Sequence, residues 1–189
     1  MPVCFSILIP TYNRKKHVCQ AVDSILAQAF TDYELFVIDD GSNDGTAGAL
    51  SSYGTRVNVL SQQNQGPEVA RNKAAAIARG EYLVFLDSDD LLTPCAPKTC
   101  DRIIREFDSP PLIIGSMRYF TEGQKPFPDY PNENANISVY KFQDFLAKEV
   151  SVGLSNSRIV LRKSLFDQAG GLRYSMPATF HLDEFNLIL

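Results

Sequence analysis

The sequence predicts an α/β sandwich: a mostly parallel central sheet covered by helices on both faces. Three observations carry that expectation. Residues 3–9, 33–38 and 82–86 are short apolar runs, rich in β-branched and aromatic side chains, that lack the in–out alternation of a half-wet sheet. Strands buried on both faces read this way. Between the runs lie segments with apolar residues at helical spacing, in β-α-β-α order. Finally, polar clusters stand where three of the runs end. The chain has 189 residues, which fits one domain able to bury roughly 70% of its unfolded surface.

Taken in order, residues 3–9 form the first strand, which Pro10 is expected to halt. Val18, Val22, Ile25, Leu26 and Ala29 then trace one face of a helix. The second strand, 33–38, ends in Asp39-Asp40-Gly41-Ser42, and a short helix over 46–52 follows with Asp44 placed to cap it. Residues 56–60 read as a third strand. Gly66-Pro67-Glu68 opens the next helix, since proline suits its first position and an acid its first turn. Ala70, Ala74, Ile77 and Ala78 give that helix a small-residue face, with Gly80 as its stop signal. The fourth strand, 82–86, runs into Asp87-Ser88-Asp89-Asp90. Thr93-Pro94 then announces a helix with Ile103, Ile104 and Phe107 on its apolar side.

Past Ser109 the texture changes. Residues 112–114 read as a strand and 123–136, rich in Pro, Asn and Asp, as loop or hairpin. Phe142, Phe145 and Leu146 mark a short helix, and 158–161 another strand. Ser164 is expected to cap a brief helix ended by Gly170-Gly171. The chain closes on an amphipathic segment, 181–189, without a stop signal, which predicts that it is part of something longer.

Composition excludes several classes. Hydrophobic residues are 44% and charged residues 21% of the chain, the balance of a globular domain rather than a disordered or fibrous one. The formal net charge of −4 is not the basic footprint of a nucleic-acid binder. No apolar run approaches the roughly 18 residues that span a bilayer, and the first residues lack the basic region and cleavage site of a signal peptide. Cys4, Cys19, Cys95 and Cys100 show no C-x-x-C spacing, and His17 and His181 make no ligand pair, so neither zinc nor a disulfide framework is expected. A cytoplasmic domain with reduced thiols follows, and Asn136-Ile137-Ser138 is then a chance sequon.

Ligands of open α/β sheets bind outside the carboxyl ends of the strands. Three clusters belong there: Pro10-Thr11-Tyr12-Asn13-Arg14, Asp39-Asp40 and Asp87-Ser88-Asp89-Asp90. Each alone has a plain explanation, as a turn or a helix cap; together, at the ends of neighbouring strands, they exceed what turns require. Five aspartates on one rim repel unless something cationic joins them, which argues for a divalent ion carrying a phosphate-bearing ligand. Neither a G-x-G-x-x-G after the first strand nor a G-x-x-x-x-G-K-[ST] is present, which argues against a dinucleotide dehydrogenase and a P-loop hydrolase. Arg14, Arg71 and Lys73 are the basic residues placed to face phosphate.

These residues resemble a known family. Ser6-Ile7-Leu8-Ile9-Pro10-Thr11-Tyr12-Asn13-Arg14 is similar to the opening strand and loop of family 2 glycosyltransferases, inverting enzymes of the Rossmann-like GT-A fold. Val37-Ile38-Asp39-Asp40-Gly41-Ser42 with Asp44-Gly45-Thr46 resembles their second-strand motif. Asn64-Gln65-Gly66-Pro67 through Ala70-Arg71-Asn72 resembles their Gly…Ala-Arg-Asn helix, and Phe85-Leu86-Asp87-Ser88-Asp89-Asp90 their Asp-x-Asp strand. The resemblance implies one GT-A domain over 1–189, with a nucleotide-sugar-binding half over 1–109 and an acceptor-side half over 110–189, truncated at its C-terminus.

By position, the resemblance implies that Pro10, Thr11, Tyr12, Asn13 and Asp40, with Asp39 close by, surround the nucleobase. Arg71 contacts the nucleotide, and Asp87 with Ser88 faces ribose or sugar. Asp89 holds Mn2+ or Mg2+ on the diphosphate. Arg162-Lys163…Gly170-Gly171-Leu172 resembles the stretch before the catalytic acidic pair, here reversed as Asp183-Glu184. Position favours Glu184 as the base and residue type favours Asp183, so both stay open. The implied partners are a nucleotide-sugar donor, most simply a UDP-sugar, and a glycan, lipid-linked or other hydroxyl acceptor. Work at the inner membrane face is common in such enzymes. With no tryptophan in the chain, a Gln-x-x-Arg-Trp motif and a processive synthase find no support.

Two other readings compete. Residues 83–86 ahead of Asp87-Ser88-Asp89 also resemble the nucleophile strand of haloacid-dehalogenase-like phosphatases, but no later Gly-Asp-x-x-x-Asp-like pair follows. The reversed acidic pair and abrupt end also leave room for a non-catalytic nucleotide-sugar-binding domain.

Overall fold

The computed structural model describes residues 4–115, 119–121 and 156–172. In chain order these form β1 (Phe5–Thr11), α1 (Lys15–Leu26), β2 (Tyr33–Asp39), α2 (Thr46–Ser51), β3 (Asn58–Ser61) and α3 (Pro67–Ile77). Next come β4 (Tyr82–Phe85), α4 (Ala96–Glu106), β5 (Leu112–Ile114), β6 (Ile159–Arg162) and α5 (Lys163–Gln168). The described strands make one six-stranded sheet in the order β3-β2-β1-β4-β6-β5. β1 pairs parallel with β2 and β4, and β2 with β3. Only β6 runs against its neighbours, β4 and β5. The chain therefore builds outward from β1 through β3, then returns to place β4 on the other side of β1. That reversal opens a crevice at the carboxyl ends of β1 and β4, where sheets of this kind take ligands.

Strand alternation divides the core into layers. Leu8, Phe36, Ile38, Leu83 and Phe85 pack with Ala70, Ala74 and Ala75 of α3 and Phe166 of α5 on one face. Ile7, Ile9, Leu35 and Val37 pack with Val18, Ala21, Val22 and Ile25 of α1 on the other. That second face continues at Phe5 and Tyr82, which meet Ile104 of α4 and Ile113 and Val160 of the last strands. The alanine stripe brings α3 close to the sheet. β3, at one edge of the sheet, is mostly exposed.

The elements fall where expected, with instructive exceptions. Pro10 does not halt β1, which runs on to Thr11 in register with Asp39. The Leu8 carbonyl accepts from Leu86 and the Thr11 carbonyl from Asp40, so Leu8 and Pro10 turn their backbone groups toward β4. Pairing with β4 stops at Leu8–Phe85, and a missing N–H beyond that point breaks no ladder bond. Ile77 is exposed, and Ala75 takes its place in the buried stripe. Gly80 is no left-handed stop; a Cβ there would lie 2.5 Å from the Ser6 amide nitrogen and hydroxyl, so its role is close approach.

Further along, α4 starts at Ala96 rather than at Pro94, because Thr93–Ala96 first closes a turn, the Ala96 amide donating to the Thr93 carbonyl at 3.1 Å. Ser164 lies inside the first turn of α5, whose cap position is Arg162. Gly170 and Gly171, with φ of +77° and +81°, do end that helix. The expected loop over 123–136 and the short helix at Phe142, Phe145 and Leu146 lie outside the described residues. Among the described residues, no helix is long and apolar enough to cross a membrane.

Candidate functional site

Three strand ends and the start of α3 converge on the crevice. Behind it, two loops are locked together. The Asn13 amide donates to the Ser42 hydroxyl at 2.9 Å, and the Asn43 amide donates to Asn13 Oδ1 at 2.8 Å. Asn13 takes a positive φ of 51° to do this, a conformation asparagine tolerates better than most residues. Asp44 adds a third tie. Besides accepting from the Thr46 amide at the start of α2, it accepts from the Lys15 amide at the start of α1, at 3.0 Å each. The cap position of α2 is Gly45 rather than Asp44, which from one residue earlier ties the starts of both helices together.

Asp39 and Asp40 are both buried at the end of β2. Asp39 Oδ1 accepts from the Ser42 amide at 3.0 Å, fixing the turn. Asp40 is engaged from the other side. Its Oδ1 accepts from Gln62 Nε2 at 2.8 Å and the Gln65 amide at 2.9 Å, and its Oδ2 from the Gly66 amide at 2.9 Å. A carboxylate buried with such donors is satisfied by the protein itself, so Asp40 holds the loop that launches α3.

Arg71, one turn into α3, has only 3% of its surface exposed. Its Nη2 donates to Asp87 Oδ1, and its Nη1 lies 4.0 Å from Glu68 Oε1. Its Nε is buried without a hydrogen-bond partner among the described residues, as is Thr11 Oγ1 at the end of β1. Leaving a buried polar atom unpaired costs about 1–3 kcal/mol. Two such atoms among the residues singled out for donor binding fit a polar ligand between the strand ends. Tyr12 is exposed on the rim, while Pro10 and Ser88 are buried.

The turn after β4 is closed by the Asp90 amide donating to the Asp87 carbonyl at 3.0 Å. Ser157 accepts from the Asp87 amide at 2.9 Å and bonds the Asp90 carboxyl. Burial pushes the Asp90 carboxyl above the usual range, and the charges of Asp87 and Asp89 push the same way, against that Ser157 bond. Asp89 is half exposed and ion-paired with Arg14, also half exposed.

The cationic partners expected for the rim's aspartates come in part from the protein itself. Hydrogen bonds from Gln62 and two backbone amides satisfy the Asp40 oxygens, Arg71 answers Asp87 and Arg14 answers Asp89. A divalent ion remains chemically apt. Asp87, Asp89 and Asp90 offer only carboxylate oxygen, the ligand type Mg2+ and Mn2+ take. Among the described residues no three acidic, histidine or cysteine side chains form a ready cage.

Two residues escaped the sequence reading. Ser157 carries no motif and becomes visible only when β6 pairs with β4. Asn72, beside Arg71, faces the backbone of Leu172 as a peptide group would. Its Nδ2 donates to the Leu172 carbonyl at 2.6 Å, and the Leu172 amide donates to its Oδ1 at 2.8 Å. Its place in the Ala-Arg-Asn triplet was the available signal. Asp183 and Glu184 lie outside the described residues.

Comparison with known proteins agrees with this geometry. The family model described as glycosyl transferase family 2 matches residues 6–170. Glycosyltransferase GlyG of Streptococcus pneumoniae is 26% identical over 196 aligned positions, covering 96% of this chain and 65% of its own length. The crystal structure of Staphylococcus aureus TarS 1-349 in complex with UDP-GlcNAc superposes with a TM-score of 0.69 at 26% identity, over 88% of this chain and 47% of that one. A Pyrobaculum calidifontis mannosyltransferase in complex with GDP-Man and Mn2+ has a TM-score of 0.61 over 89% of this chain and 47% of that one. At 19% identity that likeness concerns the fold alone. The chain thus spans less than two thirds of the length of these relatives.

Proposed function

Since the chain belongs to glycosyl transferase family 2 and has the GT-A fold, we propose that it transfers a sugar from a nucleotide-diphosphate donor, a UDP-sugar, to an acceptor hydroxyl with inversion. The observation that carries this reading is the buried Arg71, paired with Asp87 and with Nε unpartnered among the described residues, at the crevice where the strand order reverses. The UDP-GlcNAc complex of a relative 26% identical to this chain supports the choice of base.

In this reading Thr11, Tyr12 and Asp39 frame the nucleobase against Pro10, and Asn13 holds the loop that carries them. Asp40 supports that wall from behind. Arg71 and Asp87 with Ser88 meet the ribose and the sugar phosphate. Asp89 would hold the Mn2+ or Mg2+, which when bound supplies positive charge to the departing diphosphate. One carboxylate of Asp183-Glu184 takes the proton from the acceptor hydroxyl as its oxygen attacks the anomeric carbon. The new C–O bond forms as the bond to the diphosphate breaks, and the nucleoside diphosphate leaves with the electron pair. A single displacement inverts the centre. The acceptor is a glycan, lipid-linked or other hydroxyl compound.

Calorimetric titration with UDP, with and without Mn2+, tests the reading. The expected result is Mn2+-dependent binding that Asp89→Ala abolishes. No binding of UDP or another nucleoside diphosphate by the folded protein overturns it.

A further inference from the structure

Arg14 and Asp89 are 75 residues apart in sequence, yet their side chains meet across the mouth of the crevice. Both are half exposed, 47% and 48%, in contrast to Arg71 behind them at 3%. The backbone on either side of Arg14 is held: Asn13 by Ser42 and Asn43, and Lys15 by Asp44. Its side chain is a solvated arm on a fixed base. We infer that Arg14 is a placeholder cation, occupying Asp89 until a divalent ion displaces it and then turning to the donor diphosphate.

The physical case rests on which of the two arginine–carboxylate pairs can exchange. Taking the partner from a buried guanidinium strands an uncompensated charge, so Arg71 stays on Asp87. A half-exposed pair is stabilised little and gives way to a stronger ligand. Guanidinium and divalent ion both seek the same carboxylate oxygens and repel each other, so they alternate at Asp89. Once released, the planar guanidinium fork matches phosphate oxygens in a way a lysine ammonium does not. Exchange keeps the charge at the rim compensated in both states and couples metal arrival to phosphate capture.

This inference rests on the transferase reading, and its test separates the two. Mn2+ binding to the nucleotide-free protein is followed by the electron paramagnetic resonance of free Mn2+, and UDP binding with Mn2+ by calorimetry. Arg14→Gln is expected to bind Mn2+ about two- to fivefold tighter without nucleotide, the worth of a half-exposed pair. With Mn2+ present it binds UDP about tenfold more weakly, having lost a charged phosphate contact. Arg14→Lys, which keeps the charge without the fork, falls between and serves should the glutamine variant fold poorly. If Arg14→Gln leaves Mn2+ affinity unchanged or lowers it while the wild type binds UDP through Asp89, the placeholder fails and the transferase reading stands. If the wild type shows no nucleoside diphosphate binding, both fall.

Discussion

The carboxylate of Asp40 shows how a residue in a binding motif can act from behind the site. It accepts from Gln62, Gln65 and Gly66, and two of those donors are backbone amides ahead of α3. Asp40→Ala would leave these amides without their acceptor, at about 2–4 kcal/mol for two unmade bonds of this type. The expected result is a melting temperature lowered by several degrees, with weaker UDP binding as a consequence. Asp40→Asn, which keeps one oxygen, should be milder on both counts. If Asp40 instead touched the base directly, Asp40→Asn would abolish UDP binding with stability unchanged, and paired melting curves and titrations distinguish the two. Asp39 and Asp40 were legible in the sequence as a pair. Their division of labour was not, because it depends on which way each side chain leaves the end of β2.

Among the elements, α3 is the one the site depends on. Two acids hold it: Asp40, just past β2, ties the loop at its start, and Glu34 of β2 ties its far end. Glu34 Oε1 accepts from the Arg79 amide at 2.6 Å and the Ser6 hydroxyl at 2.7 Å, and Oε2 from the Arg79 guanidinium at 3.0 Å. Between these anchors the alanine stripe sets the distance to the sheet, and Asn72 binds Leu172 on the chain that leaves α5. Arg71 is therefore placed by packing before any ligand arrives. Ala74→Leu would push the helix off the sheet, at about 1–3 kcal/mol for overpacking. We expect a lower melting temperature together with a loss of UDP affinity, because Arg71 moves with its helix. Unchanged affinity in a destabilised Ala74→Leu protein, measured below its melting point, would show that Arg71 is not placed this way. The helix and its small face were legible from spacing. Spacing alone puts Ile77, seven positions from Ala70, on the small face, but the buried stripe of α3 is centred between Ala70, Arg71, Ala74 and Ala75, and Ile77 falls beyond its edge.

At the scale of the whole molecule, Glu34 near the start of β2 gives stability a pH dependence. Burial pushes the Glu34 carboxyl up, but the Arg79 amide, the Ser6 hydroxyl and the Arg79 guanidinium outweigh it and hold it below its usual value of 4.5. A carboxyl depressed by folding contributes stability that is present above its unfolded value and lost as pH falls through the folded one. The unfolding free energy measured in urea should therefore fall from about pH 4.5 downward, and Glu34→Gln should be less stable at neutral pH with a shallower acid limb. Parallel curves for the two proteins would overturn the assignment. Local order was readable where it placed the first four strands and the acidic strand ends: apolar runs, helical spacing and strand-end acids are properties of neighbouring residues. The family motifs sat in the same stretches. Contacts between distant stretches were not readable. Arg14 on Asp89, Arg71 on Asp87, Ser157 under the turn after β4 and the reversed β6 between β4 and β5 all depend on which elements become neighbours. Periodicity tells a segment which face to bury, but the partner on that face is chosen by the packing of the whole sheet.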